Sequence, residues 1–498
     1  MNLVIRADAS VAMGTGHVMR CLALAQAWQD AGGTAIFAAS EITPAMRSRL
    51  AAESCEVVAV SCPAGTAQDA DQTIRLAWKR NAAWVAVDGY QFRGEYQRAI
   101  KNAGCKALFF DDYGHCEHYH ADVVLNQNLN VNENLYAARE PYTRLLLGTK
   151  YCLLRREFAA WRDWKREIVP VARKVLVTMG GSDPDNVTAR AIRALQRAHI
   201  EGTEAVIVVG GSNPHFSELQ KLACDSPFPI EFRRDALNVT ELMAWADLAI
   251  SAAGSTCWEL ALLGLPALLL DLAANQTAVA KKLDTELCAI HVGNGTVESE
   301  ELAEAVQCLG RSYQLRKTLS HHSRRLVDGD GPRRVVSALR DKCRLRLRRA
   351  TRDDRELLWH WANDPLVRAA SFSPEPIPWE THTVWFENKI SQPTTEIFIA
   401  EDEAGQPAGQ IRFDLRADGD WEAGVSIAEQ VRGRGLAGEL IGLGIESLRQ
   451  KDRNARIHAL VKTSNIASMR GFERSGFRRR GVEMVQGQEA VHLLWLPD

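Results

Sequence analysis

Ser251-Ala-Ala-Gly254-Ser255-Thr256-Cys257-Trp258-Glu259-Leu-Ala-Leu-Leu263-Gly264-Leu-Pro266-Ala-Leu-Leu-Leu270 decides the fold of the first two thirds of this chain. Leu248–Ser251 is a short apolar run of the kind a buried parallel strand shows. A glycine and two hydroxyl residues follow, then the apolar helix-like run Leu260–Leu263, and Gly264-Leu-Pro266 restarts a strand at Ala267–Leu270. Strand, glycine turn, helix, strand is the repeating unit of a parallel sheet with helices on both faces.

Working outward, the same alternation extends over the first ~335 residues. One series begins at Asn2–Arg6 and continues through a helix over Val18–Ala31 and strands at Trp84–Val87, Ala107–Phe110 and Val123–Leu125. A second begins at Lys174–Thr178 and runs through Ala205–Val209 to the stretch above. The polar, Trp-containing segment Glu157–Arg173 separates them, and the helical tail Glu301–Leu339 is expected to close the second lobe. After Leu345 the character changes. A strand at Leu345–Arg348 and a helix at Asp353–Ala362 precede an antiparallel meander of Ile397–Glu401, Gln410–Leu415 and Glu422–Ile427. The reading is α/β: two Rossmann-like lobes, 1–156 and 157–340, then an α+β domain over 345–498.

The 498 residues are 46 % hydrophobic and 24 % charged, with a net charge of −2, ordinary for a globular protein and without a field for nucleic acid or an anionic membrane. The basic run Arg340–Arg352 reads as a linker entering an exposed strand. Eleven cysteines without a CxxC pair suggest reduced thiols in a cytoplasmic protein. No signal peptide precedes the first strand, and the apolar run around Leu260–Leu272 is too short to span a bilayer.

Three glycine-bearing constellations carry the chemistry. The first, Arg6-Ala-Asp8-Ala-Ser10-Val-Ala-Met-Gly14-Thr-Gly16-His17, follows a strand and opens a helix, where open α/β sheets bind ligands. Gly14 and Gly16 let backbone approach a ligand. The positive helix end disfavours an imidazolium at His17, which suits a base. A capped turn would look the same.

The second constellation suits a nucleoside diphosphate. Gly180-Gly181-Ser182-Asp183 and Gly210-Gly211-Ser212-Asn213 each follow a strand, and Gly254, Ser255 and Thr256 offer N–H and hydroxyl donors at a helix start. Glu259, one turn in, is placed to accept ribose hydroxyls, and Asn275-Gln276 lies just past a strand end.

Taken with Val85-Ala-Val-Asp88-Gly89-Tyr90, these segments resemble the UDP-sugar hydrolases of pseudaminic acid biosynthesis, which remove UDP from 2,4-diacetamido-2,4,6-trideoxy-β-L-altropyranose. The resemblance covers about residues 1–335. It implies the glycosyltransferase-B fold, with His17 as general base and Tyr90 as an active-site tyrosine. Glu259 would be the ribose ligand, Ser255 and Thr256 phosphate ligands, and Asn275 and Gln276 sugar-side groups. Ala253 stands where that family leads us to expect glycine. Water attack at the anomeric carbon needs no metal. His115-Cys116-Glu117-His118-Tyr119-His120 is rich in ligand types but has no standard zinc spacing, and reads as a surface loop.

The third constellation is Gln430-Val431-Arg432-Gly433-Arg434-Gly435-Leu436-Ala437, between a strand and a helix over Gly438–Arg449. Successive amides there suit a pyrophosphate, and Arg432 and Arg434 add charge. With Asn465-Ile-Ala-Ser468 and Gly476-Phe477 it resembles the GNAT acetyltransferases, and Trp361–Arg368 and His382–Phe386 look like amino-sugar N-acetyltransferases of nucleotide-sugar pathways. The resemblance implies acetyl-CoA as co-substrate. Phe472 stands where a proton-donating tyrosine is often found. Glu422, Ser426 and His458 could handle the amine proton, though each also suits a structural role.

Together these imply two consecutive steps on a UDP-amino-sugar, N-acetylation and UDP release. The rival readings are a glycosyltransferase, a hydrolysing epimerase or a non-catalytic sugar-nucleotide sensor. No metal, nucleic acid or membrane is expected, and the oligomeric state is open.

Overall fold

The computed structural model describes residues 1–10, 13–129, 131–181, 183–211, 213–340, 345–402 and 405–497. Ser182, Ser212 and residues 341–344 of the basic run lie outside the described residues. The chain divides into two compact units. The first comprises Met1–Ile100, Ala107–Arg139 and Thr143–Arg340 and holds two parallel sheets; the second holds the third sheet.

The first sheet is built from β1 (Asn2–Ala7), β2 (Thr34–Ala39), β3 (Glu56–Ala59), β4 (Ala82–Asp88), β5 (Ala107–Phe110), β6 (Val123–Asn126) and β7 (Arg144–Leu147), in the order β3-β2-β1-β4-β5-β6-β7. All neighbours are parallel. β1 is buried along nearly its whole length, including Arg6, whose guanidinium binds Asp8 at 2.6 Å and Asp69 at 2.9 Å. Buried on both faces, the strand's Leu3–Ile5 centre reads as an unbroken apolar run.

The second sheet holds β8 (Lys174–Thr178), β9 (Glu204–Val209), β10 (Ile230–Arg234), β11 (Leu248–Ala252), β12 (Ala267–Asp271) and β13 (Ile290–Asn294), in the order β10-β9-β8-β11-β12-β13. Chain order reverses between β1 and β4 in the first sheet and between β8 and β11 in the second. A crevice opens at such a reversal, outside the carboxyl ends of the strands. The loops after β1, β4, β8 and β11 are therefore the ones positioned to meet a ligand, and they carry His17, Tyr90, Gly180 and Gly254–Thr256.

One expectation is corrected. The tail over residues 301–339 is three helices, and the last, Gly331–Arg340, leaves the second lobe. Its Val335, Val336, Ala338 and Leu339 are buried in the first-lobe core with Leu3, Val18 and Cys21. Trp84 Nε1 donates to Leu339 O at 3.0 Å and Arg144 Nη1 to Ala338 O at 3.1 Å, answering two helix-end carbonyls. The other crossing between lobes lies at Leu153, in the first core, and Leu154, in the second. The crossings touch: a Cβ on Gly331 would lie 2.0 Å from Cys152 O.

The third sheet orders β14 (Arg346–Arg349), β15 (Thr395–Glu401), β16 (Pro407–Leu415), β17 (Trp421–Ile427), β18 (Ile457–Lys462), β19 (Arg478–Val485) and β20 (Gln488–Trp495) as β14-β15-β16-β17-β18-β20-β19. β14 to β17 form the antiparallel meander. β17 and β18 are parallel and pair only at Trp421 with Ile457 and Glu422 with His458. The edge strand β14 lies within the basic run, and two of its three charges are matched: Arg348 pairs with Asp354 and Glu401, Arg349 with Glu396. Leu436, Leu440, Ile441 and Ile445 of the helix Leu436–Lys451 pack on Ile411, Phe413 and Ile457. Among the described residues no helix is long and apolar enough to cross a membrane.

Candidate functional site

Gly14, Gly16, His17, Tyr90, Gly180, Gly254, Ser255, Thr256, Glu259, Asn275 and Gln276 all line one cavity of about 810 Å³ in the first unit. It lies between the two reversal points, and the loops of the two lobes come close across it: a Cβ on Gly16 would stand 3.9 Å from Ser255 Oγ.

On the first-lobe side the chain turns at Gly14 (φ 74°), whose N–H donates to Ser10 O at 2.9 Å, and the helix Gly16–Asp30 begins. His17 is in its first turn with its side chain 16 % exposed, and its Nδ1 lies 2.7 Å from Asp88 Oδ1 at the end of β4. Asp88 is fully buried and bridged by Arg20, Nε to Oδ2 at 2.6 Å and Nη2 to Oδ1 at 2.7 Å. Burial alone would raise the Asp88 carboxyl. Arg20 and His17 prevail and hold it well below the usual carboxylate range. An ionised Asp88 accepts only, so the hydrogen of that bond sits on His17 Nδ1, and the tautomer this selects keeps its lone pair at Nε2.

The third nitrogen of Arg20 reaches Asp112, Nη1 to Oδ1 at 2.8 Å. Asp112 accepts from Tyr90 Oη at 2.6 Å and from Asn128 Nδ2 at 3.3 Å. Tyr90 Oη in turn accepts from Asn275 Nδ2 of the second lobe at 2.8 Å. Burial and the neighbouring Asp112 push the Tyr90 phenol well above its ordinary range, so it remains a neutral donor. Its ring meets His17 edge-on at 5.0 Å. Asp88, Arg20, Asp112 and Asn128 were not among the sequence candidates. Asp88 carries one sequence signal, its place at the carboxyl end of an apolar strand.

On the second-lobe side Gly180 holds φ 86° in open space, and the helix Thr256–Leu262 starts from Ser255, whose hydroxyl makes no capping bond. Cys257 and Trp258 N–H turn back to Gly254 and Ser255 O, leaving the amides before them at the open helix end. Ala253 is outside the positive-φ residues and its N–H donates to Leu270 O at 2.9 Å, so alanine fits where glycine was expected. Glu259 is buried, which raises its carboxyl, and Arg155 Nη1 holds its Oε1 at 2.9 Å. Gln276 is partly committed to backbone, its Oε1 accepting from Leu272 N at 2.9 Å.

The His115–His120 segment corrects a second expectation in part: Glu117 is exposed, but Cys116 and Tyr119 are buried. Asp111, 1 % exposed, organises it. Its carboxylate accepts from Tyr113 N at 2.8 Å, Gly114 N at 2.6 Å and Tyr119 Oη, and lies 2.9 Å from His115 Nδ1. His115 Nε2 faces Phe92 O at 3.3 Å. Burial opposes the charged imidazole, but the hydrogen bond to Asp111 prevails and lifts its pKa to about 10. An imidazolium has no lone pair to offer, so His115 in this charge state is no metal ligand. The segment braces the loop that carries Asp112.

In the second unit Gly433 (φ 78°) and Gly435 (φ 74°) shape the loop before the helix Leu436–Lys451. The side chains there are already engaged. Arg432 donates to Ile427 O at 2.9 Å and pairs with Asp364 at 2.8 Å, Arg434 donates to Gln430 O at 3.0 Å, and Gln430 to Pro407 O at 3.1 Å. Val431 and Leu436 are buried in the core, so these two offer a ligand only backbone. Ala437, beside them, is in the first turn of the helix. Asn465 Oδ1 caps the helix Ile466–Arg474 by accepting from Ser468 N at 3.1 Å. The charge expected from Arg432 is therefore offset by Asp364.

A two-lobed cleft of glycosyltransferase-B type, followed by a GNAT domain, is the class this chain falls into. Residues 175–326 match the glycosyltransferase family 28 C-terminal domain, and residues 344–478 the acetyltransferase (GNAT) domain. The chain is homologous to the UDP-2,4-diacetamido-2,4,6-trideoxy-beta-L-altropyranose hydrolase of Campylobacter jejuni, 26 % identical over 265 residues that cover 53 % of this chain and 89 % of that protein. It is 22 % identical over 505 aligned positions to the Uncharacterized protein MJ1062 of Methanocaldococcus jannaschii, covering 96 % of this chain and 97 % of that one. Among solved structures, MurG of Acinetobacter baumannii superposes with a TM-score of 0.50 at 19 % identity, over 68 % of this chain and 99 % of that one, a likeness of fold alone.

Proposed function

We propose that this chain carries out two consecutive steps on a UDP-amino-sugar. The GNAT domain transfers acetyl from acetyl-CoA to the 4-amino group of a UDP-4-amino-4,6-dideoxy-N-acetyl-L-altrosamine. The two-lobed unit then releases UDP from the diacetamido product by attack of water at the anomeric carbon. Both co-substrates are cytoplasmic metabolites, and so is the reaction on this reading.

The observation that carries the hydrolytic step is the His17–Asp88 pair. Asp88 accepts from Nδ1–H at 2.7 Å, and Nε2 belongs to a residue lining the cleft. A neutral imidazole of fixed tautomer is equipped to take a proton from water. In this assignment Gly254, Ser255 and Thr256, with Gly180, meet the diphosphate, whose departure as UDP is eased by their donors. Glu259 accepts from ribose, while Tyr90, Asn275 and Gln276 contact the sugar beside Gly14 and Gly16. The homologous Campylobacter hydrolase and the order of the two domains support the pathway.

For acetyl transfer the amides of the Gln430–Ala437 loop, with Asn465 and Ser468 nearby in sequence order, are assigned to the pyrophosphate arm of acetyl-CoA. The parting of β17 and β18 beyond Glu422 and His458 supports this, because it frees strand edges on which an extended thioester arm finds partners. No metal is assigned. The test is mass spectrometry of products from a panel of UDP-4-amino-sugars, with and without acetyl-CoA. We expect an N-acetylated UDP-sugar first and free diacetamido sugar plus UDP after it. UDP release only when an acceptor alcohol is present would make the first unit a glycosyltransferase instead.

A further inference from the structure

An amine that attacks a thioester must lose a proton, and the chain has no tyrosine at Phe472 to manage protons. Phe472 is 2 % exposed and packs edge-on against Phe477 at 4.9 Å between centroids. A hydrogen-bonded chain of titratable groups stands elsewhere, beside the point where β17 and β18 part. Ile457, Ala459 and Val461 of β18 are buried in the core with the helices Leu436–Lys451 and Ile466–Arg474, so alternation sends His458 to the opposite face. His458 occupies the last paired rung, opposite Glu422. Its Nε2 lies 2.8 Å from Asp420 Oδ2, and its Nδ1 lies 2.7 Å from His492 Nε2 on β20.

Proton positions follow from the end of the chain. A carboxylate only accepts, so His458 Nε2 carries a hydrogen toward Asp420. With both rings neutral, the Nδ1 lone pair of His458 accepts from His492 Nε2–H, and His492 Nδ1 keeps a lone pair. That lone pair is 4.0 Å from Glu483 Oε1, and the His492 side chain is 24 % exposed. The gap is too wide for a direct hydrogen bond. It is close to the span of about 4–4.6 Å over which one nitrogen can donate two bonds of about 2.8 Å. A primary amine bridging the two groups would satisfy both. Burial, aided by His458, Arg416 and Arg480, outweighs Glu483 and lowers the His492 pKa, which favours the neutral form a base requires. The other charges around the chain are Arg416 on Glu422 and on Asp418, and Arg456 on Asp420.

We propose that His492 Nδ1 takes the proton of the acceptor amine during acetyl transfer, with His458 and Asp420 as positioning residues that fix its tautomer. The inference rests on the reading of this unit as an amino-sugar N-acetyltransferase. The amine nitrogen bonds to the acetyl carbon, and the C–S bond breaks with its electron pair leaving on sulfur as CoA thiolate. The amine proton passes to His492 Nδ1, His492 Nε2–H passes to His458 Nδ1, and the resulting imidazolium lies against the Asp420 carboxylate. The logic is that of a carboxylate-oriented histidine, extended by one ring.

The test measures thiol release against pH with UDP-4-amino-sugars, alongside ¹⁵N spectra of histidine-labelled protein. His492→Ala should lower kcat/KM by ~10²–10⁴-fold while acetyl-CoA binding persists, and added imidazole should restore part of it. Asp420→Asn should move the acid limb of the profile to lower pH, since the imidazolium loses its counter-charge. Both His458 and His492 should appear as Nε2–H tautomers. Wild-type kcat/KM and an unmoved acid limb in His492→Ala, or an Nδ1–H tautomer at His492, would overturn the assignment. Absence of thiol release by the wild type with every amine would overturn the parent reading, and the spectra would still judge the hydrogen-bond chain.

Discussion

Asn275 Nδ2 donates across the cleft to Tyr90 Oη at 2.8 Å, and the same oxygen donates to Asp112 at 2.6 Å. One phenol thus ties a second-lobe amide to the carboxylate that Arg20 shares with Asp88. Tyr90→Phe removes both bonds and keeps the ring against His17. A hydrogen bond to a charged group contributes about 1.5–3 kcal/mol, so kcat/KM for UDP release should fall roughly 10- to 100-fold. Asn275→Ala should cost less, because the bond to Asp112 survives. Steady-state UDP release by both variants checks the ranking, and equal losses would contradict it.

His17→Asn should nearly abolish UDP release while acetyl transfer survives. A general base contributes ~10²–10⁴-fold. The two activities are read separately, as UDP and as free thiol. Near wild-type hydrolysis by the variant would remove His17 from the mechanism.

The pH dependence of stability should carry two signatures. The Asp88 carboxyl is depressed in the folded state, so its contribution is present above the unfolded carboxylate value of about 3.9 and is lost as pH falls through the folded one. His115 is raised to about 10, so its contribution is complete below about 6.5 and is lost as pH rises through about 10. Thermal unfolding of wild type and His115→Gln should therefore converge as pH climbs from 7 to 10, and parallel curves would show that the ion pair with Asp111 adds nothing.

Gly435→Val should block acetyl transfer and spare hydrolysis of pre-acetylated UDP-sugar. Gly435 holds φ 74° at the start of the helix Leu436–Lys451, a conformation a β-branched residue adopts only with strain. Loss of both activities in a folded variant would mean that the modules do not work independently.

The bond cleaved should be carbon–oxygen. A pyrophosphatase attacks phosphorus and ordinarily uses a divalent ion. With His17 as base and the diphosphate as leaving group, hydrolysis in ¹⁸O-water should label the sugar hydroxyl, leave UDP unlabelled and tolerate chelator. Label in the phosphate would overturn attack at carbon.

The parallel sheets were legible from apolar runs such as Trp84–Val87 and Lys174–Thr178, because strands buried on both faces keep little polar alternation. β2 and β3 were not. Thr34-Ala-Ile-Phe-Ala-Ala39 suits a helix as well as a strand, and Glu56-Val-Val-Ala59 is too short to show a period. His17 announced itself through the glycines around it. Its partners did not: Arg20 and Asp88 are 68 residues apart, and only the adjacency of β1 and β4 joins them. The Val335–Leu339 stripe would suit either core, so sequence could not say which lobe the last helix of the unit covers. Tyr119 reads as solvent-facing among its polar neighbours, because no local pattern shows that the Asp111 carboxylate it bonds is buried.

Gly331 resting on Cys152 has a mechanical corollary. The chain passes between the lobes twice, and both passages run side by side at this one spot. Such a joint behaves like a pair of adjacent threads stitching two plates: it leaves pivoting about the seam as the low-resistance displacement and obstructs sliding of one plate over the other. The His17 loop and the Gly254–Thr256 turn, facing one another across the cavity, would then swing along a single arc and meet again in the same alignment. Even one added methyl at Gly331 would wedge the seam.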